Sequence, residues 1–159
     1  MVCDVGLCEF PAYARSMTGY EVLNVGAPDA WRSHVGGFDV FPLREGRRVV
    51  DHEMDMQYIG MTVNSLVAGE ECGYWHKHSA TEELYIFLAG KGQMGLNDDM
   101  VDVVAGSVVR VSPETWITWR CDPSETKQLQ WICVRSGGSE LPENPTDAAV
   151  DFDRPMPWA

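Results

Sequence analysis

The sequence predicts an all-β domain, built as an antiparallel sandwich or barrel. Short runs rich in β-branched and aromatic residues recur at close, even spacing, and clusters of Gly, Pro, Asn and Asp separate them. The apolar period typical of amphipathic helices is almost absent. The length of 159 residues suits one domain that is large enough to bury a core.

Ten segments combine strand-forming residues with flanking turn chemistry such as NDD and CDPSET. The predicted strands are residues 20–25, 38–43, 57–67, 73–78, 83–90, 92–96, 100–104, 107–111, 115–120 and 127–135. We expect an irregular N-terminal arm at residues 1–19, a barrel domain at residues 20–136, and an extended acidic, proline-containing tail at residues 137–159. The tail has no strand pattern, and we expect it to lie on the barrel, anchored by Trp158.

The charge balance narrows the possible partners. The chain has 12 Lys and Arg against 24 Asp and Glu, so its formal net charge is −12. A phosphate backbone or an anionic membrane surface requires clustered cations, so we expect neither a nucleic acid nor a membrane as partner. Small molecules, metal ions and other proteins remain.

The cysteines and the N-terminus favour a cytoplasmic, reducing setting. The five cysteines form no CxxC pair, which gives no basis for a zinc finger or a redox motif. The first residues lack the basic and apolar regions of a signal peptide, and no apolar run approaches the ~18 residues of a membrane span. We therefore expect free thiols.

The segment YWHKHSATEELYIFLAGKG, residues 74–92, has the pattern of a metal site whose ligands lie on two consecutive strands. Side chains alternate along a strand, so His76 and His78 share one face with Tyr74. The short connection SATE lets the next strand fold back beside the first, which brings Glu83 to the two imidazoles. Two histidines and one carboxylate suit a divalent ion such as Zn, Fe(II), Mn or Ni.

This order of residues resembles the first motif of the cupin family, which reads Gly, HxH, three or four residues, Glu, six residues and Gly. Here the motif is His76, His78, Glu83 and Gly90, while Glu70 stands at the position of the leading glycine and Gly69 lies one residue away. The resemblance implies a small single-domain cupin, whose fold is an antiparallel double-stranded β-helix or jelly-roll barrel. It assigns the metal ligands to His76, His78 and Glu83 and leaves Glu82 outside the site.

The second cupin motif is degraded in this chain. Gly106 and Pro113 fit it within one residue, but Glu114 stands where the family has its turn glycine and Ile117 where it has a fourth ligand, a histidine. The resemblance covers residues 57–135. Three protein ligands would leave positions open for water or substrate. The alternative is a barrel in which the three residues are a hydrogen-bonded remnant without metal.

The same alternation predicts the wall around the site. If position 117 faces inward, Trp119 does too, while Trp116, Thr118 and Arg120 face outward. The expected substrate-binding residues are Tyr74, Tyr85, Phe87, Ile117 and Trp119. We consider Tyr74 and Tyr85 as catalytic candidates. An aromatic wall suits an aromatic or polyketide-like molecule or a stacked sugar, although such residues also simply fill small barrels.

Several other residues are secondary candidates for the site. Alternation along their strands places Cys72 and Cys121 on the same faces as the ligands, but we do not expect them to bind the ion directly. His52 is a weak candidate for a spare ligand and is expected to be solvated. The basic segment REGRR, residues 44–48, is expected to be a solvated turn.

Two classes of function remain open at this point. The first is a metal-dependent enzyme that acts on a small organic molecule by isomerase-, epimerase- or oxygenase-type chemistry. The alternative is a non-catalytic binding or sensor protein with a degenerate metal site. The fold alone does not choose between them, and the ion itself could be Fe, Mn, Zn or Ni.

We predict that the protein is a homodimer. Leu84, Ile86 and Leu88 face away from the predicted site and yet are as apolar as the residues that face it, so both faces of this strand require cover. A second subunit or the N-terminal arm can provide that cover. Light scattering at micromolar concentration should give the mass of a dimer. The mass of a monomer would contradict the prediction and assign the cover to the arm and the tail.

Overall fold

The computed structural model describes residues 19–159, and this part of the chain consists almost wholly of antiparallel strands. The strands are β1 (Val35–Phe38), β2 (Phe41–Glu45), β3 (Arg47–Val49), β4 (Gly60–Leu66), β5 (Trp75–His78), β6 (Glu82–Ala89), β7 (Lys91–Leu96), β8 (Asp99–Val104), β9 (Val108–Val111), β10 (Ile117–Cys121), β11 (Leu129–Ser136) and β12 (Ala148–Asp151). Two short 3₁₀ helices span Pro28–Ser33 and Val50–His52. The predicted arm, with Cys3 and Cys8, lies outside the described residues apart from Gly19. Among the helices within residues 19–159, none is long and apolar enough to cross a membrane.

The strands of the described region form two five-stranded sheets and one hairpin, β1–β2. The first sheet has the order β12-β5-β10-β7-β8, and the second has the order β3-β4-β11-β6-β9. From β4 onward the chain passes from one sheet to the other at every connection except that between β7 and β8. This alternation is the jelly-roll arrangement, so the predicted all-β fold class is confirmed.

The core lies between the two sheets, where the inward-facing side chains of both meet. Its members include Phe87, Met94, Trp119, Leu129 and Trp131, each at most 5% exposed. Burial of a large apolar side chain contributes about 1.5–3 kcal/mol to folding. This part of the core fills one end of the sandwich, and the polar residues described below occupy the other end.

The C-terminal segment differs from its prediction because it contains a strand. β12 pairs with β5, and Val150 lies opposite His76. Beyond β12, the backbone oxygen of Pro155 accepts a hydrogen bond from the Trp75 indole at 3.0 Å. The segment therefore covers the outer face of the first sheet, which explains why Thr118 is fully buried although it faces outward. The anchoring role expected of Trp158 agrees with its hydrogen bond to Glu71.

Three further differences lie in the N-terminal half of the described chain. Residues 20–25 join no sheet, and the segment predicted as one strand at residues 38–43 comprises the end of β1, a two-residue turn and the start of β2. β3 was not predicted at all, because its three residues follow a basic turn and carry no apolar alternation.

The apolar outer face of β6 is only partly covered. Leu84 and Ile86 are half-buried, whereas Leu88 is 41% exposed and lies near Val108, which is 61% exposed. The predicted homodimer requires an uncovered face of this kind. The dimer itself stays a prediction.

A pair of glycine substitutions should separate backbone strain from steric clash. Gly90 and Gly106 both have a positive φ, of +73° and +91°. A methyl group on Gly90 would lie 2.4 Å from the carbonyl oxygen of Gln128, whereas one on Gly106 would meet nothing within 4 Å. We expect Gly106→Ala to lower the free energy of unfolding by about 1–2 kcal/mol and Gly90→Ala to lower it by about 1–3 kcal/mol more. Urea denaturation measures both, and equal losses would show that the β6–β7 turn does not need the close approach.

Candidate metal centre

β5 presents two histidines to the space between the sheets. His76 and His78 are separated by one residue, so alternation along the strand turns both imidazoles inward, and they are 3% and 5% exposed. The rings of Phe41 and Trp119 pack edge-on against His76, with centroids 5.1 and 5.4 Å away. The histidines are therefore held in a largely apolar wall, as the sequence pattern predicts.

Glu83 reaches the histidines from the opposite sheet. The expectation that its strand folds back beside the histidine strand is wrong, because β5 pairs with β10 and β12 while β6 pairs with β11 and β9. The connection at residues 79–81 instead crosses from one sheet to the other. Backbone N–H groups of Ser79 and Thr81 donate to Asp147 within this crossing. The three predicted ligands still meet, but they do so across the sandwich.

The spacing of the three groups fits a shared cation. His76 Nε2 lies 3.5 Å from Glu83 Oε2, and His78 Nε2 lies 3.8 Å from Glu83 Oε1. These separations exceed those of ordinary N–H···O hydrogen bonds. Ligand atoms about 2.1 Å from one ion in a tetrahedral arrangement lie about 3.4 Å apart. The three residues form a buried group whose ligand atoms all lie within 4.8 Å of one another and could hold a metal ion.

Asp147 fixes the proton of His78. His78 Nδ1 donates to Asp147 Oδ1 at 2.9 Å, and Asp147 Oδ2 accepts from the backbone N–H groups of Ala80 and Thr81. Burial raises the pKa of Asp147, but the bond from His78 and the two N–H groups outweigh it and lower the pKa to about 2. Since an ionised carboxylate only accepts, His78 Nδ1 carries a proton, and the other ring nitrogen, Nε2, faces Glu83. A carboxylate that orients a histidine in this way is typical of metal ligands.

Glu83 is ionised as a metal ligand requires. Burial raises its pKa, but contact with His76 and the charges of both imidazoles lower it to about 2. The Tyr85 hydroxyl donates to Glu83 Oε2 at 2.9 Å, and the Cys133 thiol donates weakly to Oε1 at 3.6 Å. Two neighbours therefore orient the carboxylate while both of its oxygens still face the histidines.

The two tyrosines considered as catalytic residues keep their protons. Burial and the neighbouring Cys72 raise the pKa of Tyr74 to about 12, and burial and Glu83 raise the pKa of Tyr85 well above its ordinary value. Tyr85 orients Glu83, and Tyr74 accepts a hydrogen bond from Arg47 at 3.3 Å. Both phenols can therefore donate a hydrogen bond at neutral pH, and neither is a base there.

The group lies in a cavity of about 40 Å³, which offers room for a few water-sized groups. Three predicted wall residues, Tyr74, Tyr85 and Trp119, line it. The other lining residues are Phe38, Phe41, Arg47, Thr62, Asn64, His76, His78, Glu83, Trp131, Cys133, Arg135 and Pro145. This volume suits a small ligand better than an aromatic or polyketide-sized molecule, so the expectation of a larger substrate gains no support from the cavity.

Phe87 and Ile117 do not belong to this lining. Both are 1% exposed and sit in the apolar core cluster. Phe87 lies opposite Trp131, whose larger indole packs against it and forms the cavity wall in its place. Ile117 faces inward as predicted but packs with the core, so its substrate-binding role has no support from the cavity.

The register inferred for the second cupin motif agrees with the backbone. Gly106 has a φ of +91°, and Glu114, which stands at the position of the turn glycine, has a φ of +65°. Glu114 N–H also donates to the His78 backbone oxygen at 2.6 Å. Ile117 lies directly opposite His76 in the β10–β5 pair. The missing histidine position is therefore adjacent to the site.

Sequence reasoning missed several residues of the site. Trp131, Cys133 and Arg135 alternate along β11 and all line the cavity, so their spacing was a usable signal. Arg47 corrects the expectation of a solvated basic turn, because it is 5% exposed and lines the cavity. Asp147 carries no sequence signal, since it acts only through the pairing of β12 with β5.

The remaining candidates lie outside the group. Glu82 is exposed and pairs with Arg110, which agrees with the assignment of Glu83 rather than Glu82 as the carboxylate ligand. Cys121 is buried beside the backbone of Lys91, and Cys72 packs at the edge of the core. His52 Nε2 lies 3.1 Å from the Glu143 backbone oxygen and does not line the cavity.

Comparison with solved structures identifies the architecture. The chain superposes on a cupin protein from Bacteroides fragilis with a TM-score of 0.62, at 19% identity, over 82% of this chain and 95% of the other. An uncharacterised protein with a double-stranded β-helix domain from Klebsiella pneumoniae gives 0.55, at 13% identity, over 77% and 94%. A putative sugar phosphate isomerase from Acidithiobacillus ferrooxidans gives 0.53, at 18% identity, over 69% and 65%.

The chain therefore has the cupin fold, a double-stranded β-helix, as the resemblance of its first motif implied. No protein-family model and no curated protein sequence matches it.

Asp147→Asn should weaken metal binding without unfolding the barrel. The amide loses the charge that holds the proton on His78 Nδ1, and loss of such an orienting carboxylate typically costs about 10–100-fold in metal affinity. Titration calorimetry with Zn²⁺ measures the change. Asp153→Asn is the matched control, because Asp153 is exposed in the same segment and forms no hydrogen bond with the three ligands. Equal affinities of the Asp147 variant and the wild type would show that Asp147 does not orient a metal ligand.

Proposed function

We propose that this chain binds a divalent transition metal through His76, His78 and Glu83 and acts on a small organic molecule at that ion. One observation carries the proposal. Nε2 of His76 and Nε2 of His78 lie 3.5 and 3.8 Å from the two oxygens of the buried Glu83 carboxylate, beyond ordinary hydrogen-bond distance, while Asp147 orients His78 through Nδ1. A buried carboxylate charge is costly, and a cation shared by these three ligand atoms would neutralise it.

The chemical types of the three ligands fit a divalent transition metal, as their spacing does. Two imidazoles and one carboxylate form the ligand set of zinc hydrolases and of non-haem iron oxygenases. When bound, such an ion supplies Lewis-acid or redox chemistry and has positions free for a substrate oxygen. The surrounding rings of Phe41, Trp119 and Trp131 exclude bulk water, which strengthens the electrostatic interactions within the cavity.

The cavity offers no separate general base. Apart from the three ligands, the ionisable residues that line it within the described chain are Arg47, Arg135, Cys133, Tyr74 and Tyr85. Burial and Glu83 raise the pKa of the Cys133 thiol well above its usual range, and both phenols keep their protons. Arg135 is paired with Asp51. This favours chemistry that begins with polarisation or oxygen activation over an epimerase-type transfer between two side-chain bases.

The same observation also keeps a binding protein as the second candidate. A site that holds an ion and a ligand but lacks a base in its wall can serve as a sensor. Turnover separates the two candidates, because an enzyme converts the small molecule that the metal-loaded protein binds and a sensor returns it unchanged.

Alanine substitution of the three ligands should remove most of the bound metal. We expect about one ion per chain in the reconstituted wild type and much less than one in His76→Ala, His78→Ala and Glu83→Ala, because two remaining ligands hold a divalent ion weakly. Elemental analysis after gel filtration measures the occupancy.

Glu82→Ala is the matched control, since Glu82 is the neighbouring glutamate and points outward to Arg110. Its occupancy should equal that of the wild type. A wild type that retains far less than one ion per chain would refute the proposal. Equal losses in Glu82→Ala and Glu83→Ala would refute the assignment of the carboxylate ligand.

A further inference from the structure

Within residues 19–159, the buried charge of Arg47 in the metal cavity has no carboxylate partner. Its side chain lines the cavity, and the residue is 5% exposed. Among residues 19–159, its guanidinium donates to the Tyr74 hydroxyl at 3.3 Å and forms no ion pair. A phenol is neutral at pH 7, so Tyr74 satisfies one N–H group but supplies no negative charge.

Other arginines of the described chain show how unusual this is. Each of five pairs with a carboxylate: Arg32, Arg48, Arg110, Arg135 and Arg154. Even Arg135, which lines the same cavity, is compensated by Asp51. A buried guanidinium remains charged and costs free energy unless a partner neutralises it.

A second arginine adds positive charge beside the cavity, although it does not line it. Arg44 donates to Asn64 Oδ1 at 2.6 Å and lies 5.5 Å from the centre of the Trp131 ring, and it too forms no ion pair within the described residues. Burial and the charge of Arg47 lower the pKa of Arg44 to about 9. The two guanidiniums therefore repel each other.

Polar groups continue from Arg47 along the inner face of the second sheet. Arg47 lies opposite Asn64 on β4, and Asn64 donates to the hydroxyl of Thr62 at 2.8 Å. That hydroxyl accepts from Asn64, so its own proton is free to donate into the cavity that both residues line. On the other side, Tyr74 connects Arg47 to His76, whose ring centre lies 6.1 Å from the Tyr74 ring centre.

We propose that Arg47 binds the carboxylate of a small organic acid, and that a second oxygen of the same acid reaches the ion held by His76, His78 and Glu83. The substrate class of the site is then a short carboxylic acid with a neighbouring hydroxyl, carbonyl or second carboxylate. This inference rests on the proposed function, because the second contact requires the metal.

Charge, shape and size favour this class together. A divalent ion with Glu83 leaves one positive charge in the cavity, and Arg47 adds another, so an anion is needed to neutralise it. The planar fork of arginine matches a carboxylate through two parallel hydrogen bonds. The cavity volume of about 40 Å³ favours a short acid over a large one.

The binding test uses the full chain loaded with Zn²⁺, with glycolate and malonate as probes and glycolamide as the neutral isostere of glycolate. Titration calorimetry should show that both acids bind the wild type at least tenfold more tightly than Arg47→Gln or Arg47→Met. Glycolamide should bind weakly and equally to all three proteins. Arg110→Gln should behave as the wild type, because Arg110 lies on the outer face and pairs with Glu82.

The melting temperature of Arg47→Met gives a second readout. A purely structural role of Arg47 and a ligand-binding role predict opposite changes in it. Removal of an uncompensated buried charge should leave the melting temperature of the ligand-free protein unchanged or raise it. The increase in melting temperature that malonate causes in the wild type should disappear in the variant. If Arg47 only supported the fold, Arg47→Met would melt at a lower temperature and malonate would still stabilise it.

Several outcomes would overturn the inference. Equal binding of glycolate and glycolamide to the wild type would show that the site does not select a carboxylate. Binding of inorganic phosphate through Arg47, without binding of either acid, would assign a different anion. Metal occupancy should remain about one ion per chain in the Arg47 variants. A wild type that takes up no Zn²⁺ would instead refute the proposed function, and malonate stabilisation of the metal-free protein would then test Arg47 alone.

Discussion

The contact between Asp147 and His78 is the constraint on which the candidate centre depends. One carboxylate oxygen accepts a hydrogen bond from the imidazole, and the other accepts hydrogen bonds from two backbone N–H groups of the crossing between the sheets. The same residue therefore orients a ligand, shapes the connection to Glu83 and fixes the start of β12. Removal of its charge therefore affects the orientation of His78, the connection to Glu83 and the start of β12 together, because all of them depend on the same residue.

The cavity differs from the rest of the molecule in how its charges are balanced. On the surface, several arginines and lysines have carboxylate partners, as in the Lys77–Glu114 and Arg48–Glu53 pairs. Inside, Glu83 faces two imidazoles beyond ordinary hydrogen-bond distance, and among the described residues Arg47 has only the phenol of Tyr74 as a side-chain partner. Folding does not satisfy these groups by itself. A cation at one end of the cavity and an anion at the other would satisfy both, which is why the site is better explained by ligands than by stability.

The sequence predicted the parts of this site that depend on local geometry. The positions of His76, His78 and Glu83 follow from alternation along two strands and from a short connection, and these are properties of consecutive residues. Which strands become neighbours depends on pairing over long distances in the chain, and there the expectation for Glu83 failed in detail. Arg47 and Asp147 could not be predicted for the same reason. Both belong to short segments whose role appears only when β3 and β12 join their sheets.

The pairing of β12 with β5 has a consequence for how firmly an ion can be held. β12 has four residues and lies at the edge of its sheet, so it can separate from β5 at a smaller cost in free energy than the inner strands. Separation would withdraw Asp147 and free the His78 imidazole to change its tautomer, while the two sheets stay folded. The observed affinity for metal would then be the affinity of the closed form multiplied by the fraction of molecules that are closed. Conditions that loosen only this edge would release the ion before any loss of strand content.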